Sequence, residues 1–501
     1  MKQGHPSNSQ SSYGLLLLIL LFALGLHSSG LIHGRFYADD YVHAAMFTGD
    51  SELKKLGVLE GIDAKSIQSL TLNQFNFFDP SQPNYQALRN YSMLPWWTDD
   101  SAKIHFFRPL ATFTHWLDYQ WFPKNAYWMQ GVNLCWYLLS LLAAFCFFRQ
   151  FGLTHGQSLF ALLLVALDLS SNHTVSWIAA RNSLMVIALG LFSLIAFNRS
   201  REHSPWYMLS LVLFCATLLS AEASITICLF FAAFTLSVDS RSLTERALAI
   251  LPFAIIALGW QIVYSMLGFG ASHIDFYQDP TALLSHPIDL FSQLIKQLPQ
   301  RFFELVTGLE ALTLQLNPND LWIIQIAGSG FLVIFIWLAL HYKANRPIRF
   351  FALATLFGLL PSLLSASPMR GLLLPFISFA AFLTLIASHN RRSALQKIST
   401  YTALFFAVAV ALMINGWLFI SQLQTKATPS SSLLPPISAD KHLVVINANK
   451  LFPLIYWPFK QRFYEQPLPK SFHILGTNIY DTEITRISKD QFRLTKTPYF
   501  H

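Results

Sequence analysis

Long apolar runs alternate along the chain with short polar stretches rich in Lys and Arg. About 20 apolar residues carry an α-helix across a bilayer. Eleven runs read as membrane spans: 13–31, 127–148, 157–170, 176–198, 205–221, 223–238, 248–268, 320–341, 349–366, 371–389 and 399–421. The third and fifth are short. The first could also be a signal peptide, because its apolar core is brief and His27-Ser28-Ser29-Gly30 has the small residues of a cleavage zone. A retained anchor is preferred, since only Lys2 precedes it and the polar motif after it needs fixing at the membrane.

The polar stretches sort by charge. With the N-terminus in the cytoplasm, the cytoplasmic loops hold Arg149, Arg199, Arg201, Arg241, Arg246, Lys343, Arg346, Arg349, Arg391, Arg392 and Lys397. The short outer loops hold few basic residues, which is the asymmetry that orients membrane proteins. The expected organisation follows. Residues 1–31 are an N-terminal tail and first span, and 32–126 are an extracytoplasmic loop with an acidic motif and interfacial helices. Residues 127–268 hold spans two to seven, and 269–319 form a second outer loop with an amphipathic stretch at 289–314 that can lie along the interface. Residues 320–421 hold spans eight to eleven, and 422–501 form a C-terminal extracytoplasmic module. That module opens on a Pro/Ser linker, Thr428-Pro429-Ser430-Ser431-Ser432 to Pro435-Pro436. It continues with strand-like runs at 442–447 and 472–475 and a hairpin around Lys489-Asp490, which predicts an α+β or β module.

Composition narrows the picture. Charged residues make up 12% and hydrophobic residues 53%, against about 25% charged in a soluble globular chain. A soluble domain, a disordered chain, collagen and a coiled coil are all excluded. The expected fold is an all-α polytopic membrane protein with about eleven transmembrane helices. The net charge of +8 could suit nucleic acid, but its placement between spans already serves orientation, so no nucleic-acid partner is expected. The four cysteines (Cys135, Cys146, Cys215, Cys228) lie in apolar runs with no C-x-x-C pair, and read as packing residues with neither disulfide nor metal role. There is no Walker loop, no G-x-S-x-G and no H-E-x-x-H. No metal or other cofactor is expected.

An ionised side chain at mid-bilayer costs roughly 2.5–3.5 kcal/mol on insertion scales, so polar residues near the spans carry the information. After the first span comes Phe36-Tyr37-Ala38-Asp39-Asp40-Tyr41-Val42-His43. Adjacent carboxylates raise the pKa of at least one member, which suits a general base; they also serve as ordinary helix caps. His43 falls one helical turn beyond Asp39. Phe106-Phe107-Arg108-Pro109-Leu110 ends an extended piece at Arg108 and starts a helix at Pro109. In that helix His115 and Asp118 are expected to share a face with Leu110, Ala111, Trp121 and Phe122. Arg108 suits either a lipid phosphate or ordinary snorkelling. His173, Trp177 and Arg181 are spaced by four, which places them on one face of a helix, with Arg181 deep enough to need a partner or a substrate. Glu222 is a carboxylate in an apolar setting that can pair with Arg181 or Arg108. Arg370 sits at a helix start, where a cation is unfavourable unless an anion is near.

The order of these motifs resembles the GT-C superfamily of integral-membrane glycosyltransferases. The carrying features are an acidic pair after span one, aromatic-Arg-Pro-Leu before span two, V-x-W-I-x-x-R in span four, an acidic residue before span six and an outer Arg near span ten. The nearest branch is the protein O-mannosyltransferase-like and tetratricopeptide-linked mannosyltransferase-like proteins and their bacterial relatives, over residues 10–390. The resemblance implies transfer of a sugar from a polyprenyl-phosphate donor to an acceptor hydroxyl, with inversion, on the extracytoplasmic side of a bacterial inner membrane. It implies Asp39 or Asp40 as the base. Arg108 and Arg370 would hold the donor phosphate, and His43, His173, Trp177, Arg181 and Glu222 would line the substrate site. The acceptor, whether protein, glycan or lipid, stays open. The chain departs from its relatives at Ser171 and His173, where they carry His-x-Glu, at Ala221, and in a tail that replaces the repeats. Two other readings are a transporter or flippase of a lipid-linked sugar, which predicts midplane polar residues and inverted repeats, and a scaffold acting through its tail. No internal repeat is evident.

Overall fold

The structure, a computed structural model, describes residues 8–28, 31, 34, 36–168, 170–274, 277, 287–309, 321–364, 369–389, 439–445, 454–475, 480–488 and 491–498. These residues form two compact units. One draws on Met1–Gly34, Ala126–Leu267 and Pro280–Ala427, the other on Arg35–Asn125, Gly268–Asp279 and Thr428–His501.

The first unit is a bundle of apolar helices. Six are long and apolar enough to cross a membrane: Ala126–Gln150, Ile178–Arg199, Leu243–Met266, Leu321–His341, Arg346–Leu364 and Gly371–His389. Tyr13–His27, His155–Ala166, Pro205–Leu218 and Glu222–Ser237 are shorter apolar helices. The first ten expected spans therefore all appear as apolar helices, six of them of spanning length. The eleventh, at 399–421, lies outside the described residues. Burial separates their roles. Ile178–Arg199 is 83% buried inside the protein, whereas Leu243–Met266 is 11% buried. The latter presents Leu251, Ile255, Leu258 and Ile262, spaced by four, three and four, as an apolar stripe for lipid.

Small residues let helices approach where no polar group drives association. Gly328 on Leu321–His341 faces the Pro299 carbonyl, and a Cβ there has no room. Pro299 lies inside the helix Pro287–Thr307, which contains most of the expected amphipathic stretch. Its first half exposes Ile288, Phe291 and Ile295. Its second half buries Arg301, Phe302, Glu304 and Leu305. Phe302 packs on Phe335 and Phe379, so this part of the helix is core.

The loops expected in the cytoplasm gather at one end of this unit. Arg149 Nη1 donates to the Leu153 carbonyl, and Gly152 abuts Pro347. Arg349 Nη2 donates to the Ser237 carbonyl, and Arg246 Nη1 to that of Thr235. Arg201 and Arg241 both pair with Asp239. Gln157 bonds Ser388, and Tyr342 packs on His389. Cations at helix C-termini satisfy the last carbonyls and complement the dipole. All four cysteines are free thiols.

The second unit mixes short helices and strands. Asn76–Phe78, Lys103–His105 and Gly270–Ser272 form an antiparallel sheet in that order. Asp79 ties it down: its carboxylate accepts from His105 Nδ1 at 2.9 Å and lies 3.2 Å from Lys103 Nζ. Burial pushes the Asp79 carboxyl up, but bonds from His105 and Ser81 and the Lys103 charge outweigh this and hold it at about 2. His442–Val445 pairs in parallel with Ser471–Ile474. Tyr480–Ser488 and Gln491–Pro498 form the hairpin that flanks 489–490.

Candidate functional site

The acidic motif becomes the helix Asp39–Thr48, with both carboxylates in its first turn and Asp39 to Met46 buried. Ala38 precedes it at φ 46°. A non-glycine residue rarely adopts that conformation, and such strain collects at functional sites. Asp40 Oδ2 accepts from the Tyr37 N–H at 2.9 Å, ahead of the helix, and the N-cap residue Ala38 makes no side-chain cap bond. Gly49 ends the helix in the left-handed region, its N–H donating to the Ala45 carbonyl.

The opposing wall is the helix Pro109–Trp121, which packs against Asp39–Thr48. Arg108 is its N-cap and follows the strand Lys103–His105, and Pro109 is its first residue. Its buried face is Ala111, Thr112, His115, Asp118 and Tyr119. Trp121 is exposed and does not share the face expected from sequence, because at 100° per residue it points well away from His115. Phe47 and Tyr119 stack across the two helices at 4.5 Å.

His43 lies between these elements. Its ring is 5.7 Å from that of His115 and 5.1 Å from that of Phe75. Gln74 Nε2 faces His43 Nδ1 at 3.2 Å. His43 Nε2 has no hydrogen-bond partner among the described residues. Burial lowers the His43 pKa to about 3, helped by the Arg108 charge and opposed by a bond with the Gln74 backbone. The ring is neutral at neutral pH. The Arg108 guanidinium lies over the rings of Phe106 at 4.4 Å and Phe75 at 4.8 Å. This cation–π cradle fixes the charge in place. One unit therefore gathers an acidic pair, a neutral imidazole and an aromatic-held guanidinium. Gln74, Phe75 and His115 complete it. Gln74 and Phe75 carried no signal in the sequence, because they reach His43 from a turn some thirty residues away.

The first unit holds the other candidates. The expected single helical face for His173, Trp177 and Arg181 does not form. Ser170–Ser176 is one helix, Trp177 is extended, Ile178–Ala180 is a 3₁₀ turn, and Arg181 opens Arg181–Arg199. The break opens the Val175 carbonyl to a side chain, and the Trp177 carbonyl, which accepts from the Ala180 N–H of the 3₁₀ turn, takes a second bond. Gln130 Nε2 takes the first at 2.7 Å, and Asn133 Nδ2 takes the second at 2.9 Å. Asn133 Oδ1 in turn accepts from Arg181 Nε at 2.7 Å, and the Met129 carbonyl accepts from Nη2 at 3.2 Å. Fully buried Arg181 thus braces a broken helix against Ala126–Gln150. Glu222 Oε1 accepts from the Tyr264 hydroxyl at 3.3 Å. Arg370 lies in the first turn of Met369–His389. The side chains of Arg370 and His173 lie outside the described residues. A buried ion pair that sequence reading did not single out, Arg301 Nη1 with Glu304 Oε2 at 2.7 Å, sits on Pro287–Thr307. Among the described residues no cluster of His, Cys, Asp and Glu could hold a metal ion.

No family model matches the chain, and no curated protein does. Several solved structures are similar. One is the apo oligosaccharyltransferase of Archaeoglobus fulgidus, at 13% identity and TM-score 0.48, covering 93% of this chain and 65% of that one. A second is the archaeal oligosaccharyltransferase AglB from Archaeoglobus fulgidus in complex with an inhibitory peptide and a dolichol-phosphate, at 14% identity, TM-score 0.46 and the same coverage. A third is ArnT from Cupriavidus metallidurans bound to undecaprenyl phosphate, at 13% identity and TM-score 0.44, covering 92% of this chain and 90% of that one. The chain spans 65% of the length of the oligosaccharyltransferases. At this identity and TM-score the likeness is to the general course of the chain and does not extend to substrate.

Proposed function

We propose that the chain is a GT-C-type membrane glycosyltransferase. It moves a sugar from a polyprenyl-phosphate donor to an acceptor hydroxyl on the extracytoplasmic side. The supporting observation is the cluster of Asp39, Asp40, His43 and Arg108 on two packed helices of one unit.

In this reading Asp39 or Asp40 takes the proton of the acceptor hydroxyl as its oxygen attacks C1 of the sugar. The bond from C1 to the phosphate oxygen breaks, and the electron pair leaves on polyprenyl phosphate. An inverting transfer needs a base on the acceptor side and a stabilised leaving group opposite. A phosphate leaves as an anion and needs no general acid, so a fixed guanidinium at Arg108 is the group the step requires. Arg370 is a second candidate for binding a donor phosphate. His43, neutral, would orient a substrate oxygen through Nε2 and would not exchange protons. Arg181 is assigned a bracing role rather than substrate contact. The first helix runs from the basic end of its unit, where Tyr13 meets His155, to His27 beside Ser171 and Tyr137.

The test is release of free polyprenyl phosphate from a panel of polyprenyl-phosphate sugars, using purified full-length protein and cell extract as acceptor. Wild type is expected to release it, and the Asp39→Asn, Asp40→Asn double variant to be slower by at least about a hundredfold. Equal release by the variant removes the base assignment. No release from any donor removes the enzyme reading.

A further inference from the structure

A cleft of about 480 Å³ opens at the basic end of the helical unit, lined by Phe197, Ser200, Arg201, Tyr207, Met208 and Arg241 among others. It lies where Ile178–Arg199 ends and where Pro205–Leu218 and Leu243–Met266 begin. Its floor is a built electrostatic device. The Asp239 carboxylate is fully buried. Arg241 clasps it from two nitrogens, with Nε at 3.1 and 3.2 Å from the two oxygens and Nη2 at 2.7 Å. Arg201 Nη2 adds a third hold at 3.2 Å. The carboxylate aims the guanidinium groups without using them up. Arg241 Nη1 and Arg201 Nε and Nη1 have no hydrogen-bond partner among the described residues. Arg199, Arg201, Arg241 and Arg246 stand against Glu202, Asp239 and Glu245 along these segments, an excess of one cation. Glu245 is the other carboxylate near Arg241, and it is occupied by the Ser242 N–H and hydroxyl at 2.9 and 2.8 Å.

The surroundings say where the anion comes from. The Arg199 guanidinium lies over the Trp206 ring at 5.0 Å, an aromatic and a cation together at the level where spans meet water. Met208 lines the cleft and is 64% exposed, and Leu248, Val212 and Leu209 continue an exposed apolar lip. A polar floor with an apolar lip at a membrane boundary matches a lipid, with its phosphate on the arginines and its chains along the helices.

We propose that this cleft binds the phosphate of an anionic phospholipid from the leaflet at this end of the protein. The site is independent of the transferase reaction and of its donor. The test uses delipidated full-length protein and follows melting and native mass spectrometry. The added ligands are phosphatidylglycerol, phosphatidylcholine and inorganic phosphate. Phosphatidylglycerol is expected to be retained as a bound adduct and to raise the melting temperature saturably, and phosphatidylcholine to do so more weakly. Met208→Glu sets a negative charge at the mouth without touching the Asp239 pairing, and is expected to weaken binding about tenfold. Arg201→Gln removes one guanidinium while Arg241 still holds Asp239, and should weaken it as well. Equal retention of phosphatidylglycerol by wild type and both variants overturns the site. A shift of the same size from inorganic phosphate alone overturns the lipid as its source.

Discussion

At the scale of single residues, His43 shows how burial changes the chemistry available to a side chain. Desolvation, then the Arg108 charge, lowers its pKa to about 3. Between that value and the unfolded value of about 6.5 the unfolded chain binds the proton and the folded one does not. The contribution of His43 to stability is therefore complete above about pH 6.5 and is lost as pH falls toward 3, by up to about 1.4 kcal/mol per pH unit. Replacing it with Gln removes that slope. A series of melting curves from pH 7 to 4 is expected to fall less steeply for His43→Gln than for wild type. Parallel acid limbs would mean that His43 is accessible to protons in the folded protein. The sequence placed His43 one turn after Asp39. It could not show the ring to be neutral, because Gln74, Phe75 and Arg108 arrive from other elements.

At the scale of elements, the helix Asp39–Thr48 depends on a segment more than 400 residues away. The helix Trp457–Phe463 packs on it. Phe463 meets Phe36 at 4.8 Å and Tyr41 at 5.5 Å, one residue on each side of the acidic pair in sequence. Arg462 Nε bonds both oxygens of Asp50 at 3.2 Å, just past the end of the same helix. The Trp96 indole N–H donates to the Leu475 carbonyl at 3.2 Å, and the Ile474 N–H to Ser92 Oγ at 3.3 Å. The tail segment is thus part of the unit that carries the acidic pair. Phe463→Ala is expected to cost about 2 kcal/mol, since the side chain is partly buried, and to slow donor cleavage with it. Glu465→Ala, at an exposed end of a 3.5 Å ion pair with Lys124, should stay within about 0.5 kcal/mol of wild type. Melting and turnover of the two variants side by side check this. Equal behaviour would show that the helix makes no specific contribution.

At the scale of the whole molecule, six spanning helices and four shorter apolar ones place the basic loops at one end of the bundle. In a chain lacking its four native cysteines, Gly156→Cys at this end should react with a membrane-impermeant maleimide only after the membrane is opened. Ser81→Cys in the other unit should react without that step. Labelling of both under the same condition would overturn their placement on opposite sides, and the exchanged pattern would reverse the orientation.

Hydropathy and charge placement alone determined the helical class, ten of the apolar helices and the grouping of the loops. These are properties of single segments, decided by transfer of each run into lipid and by loop charge. Residue spacing also predicted the helix start at Pro109, and strand propensity the C-terminal strands. The break at Trp177 escaped notice because the groups that stabilise it, Gln130 and Asn133, lie on another helix and satisfy carbonyls that a lone segment would have kept in a helical ladder. The Asp239 device takes Arg201 from the turn after another helix, whereas Arg301 and Glu304 are three residues apart on one helix and only their burial was hidden. An arginine in a sequence is only a charge, and whether it braces a fold, faces a ligand or caps a helix depends on which distant acceptor packing brings within 3 Å. That choice belongs to the tertiary structure, because desolvation makes an unmatched buried polar group costly and so selects the partners.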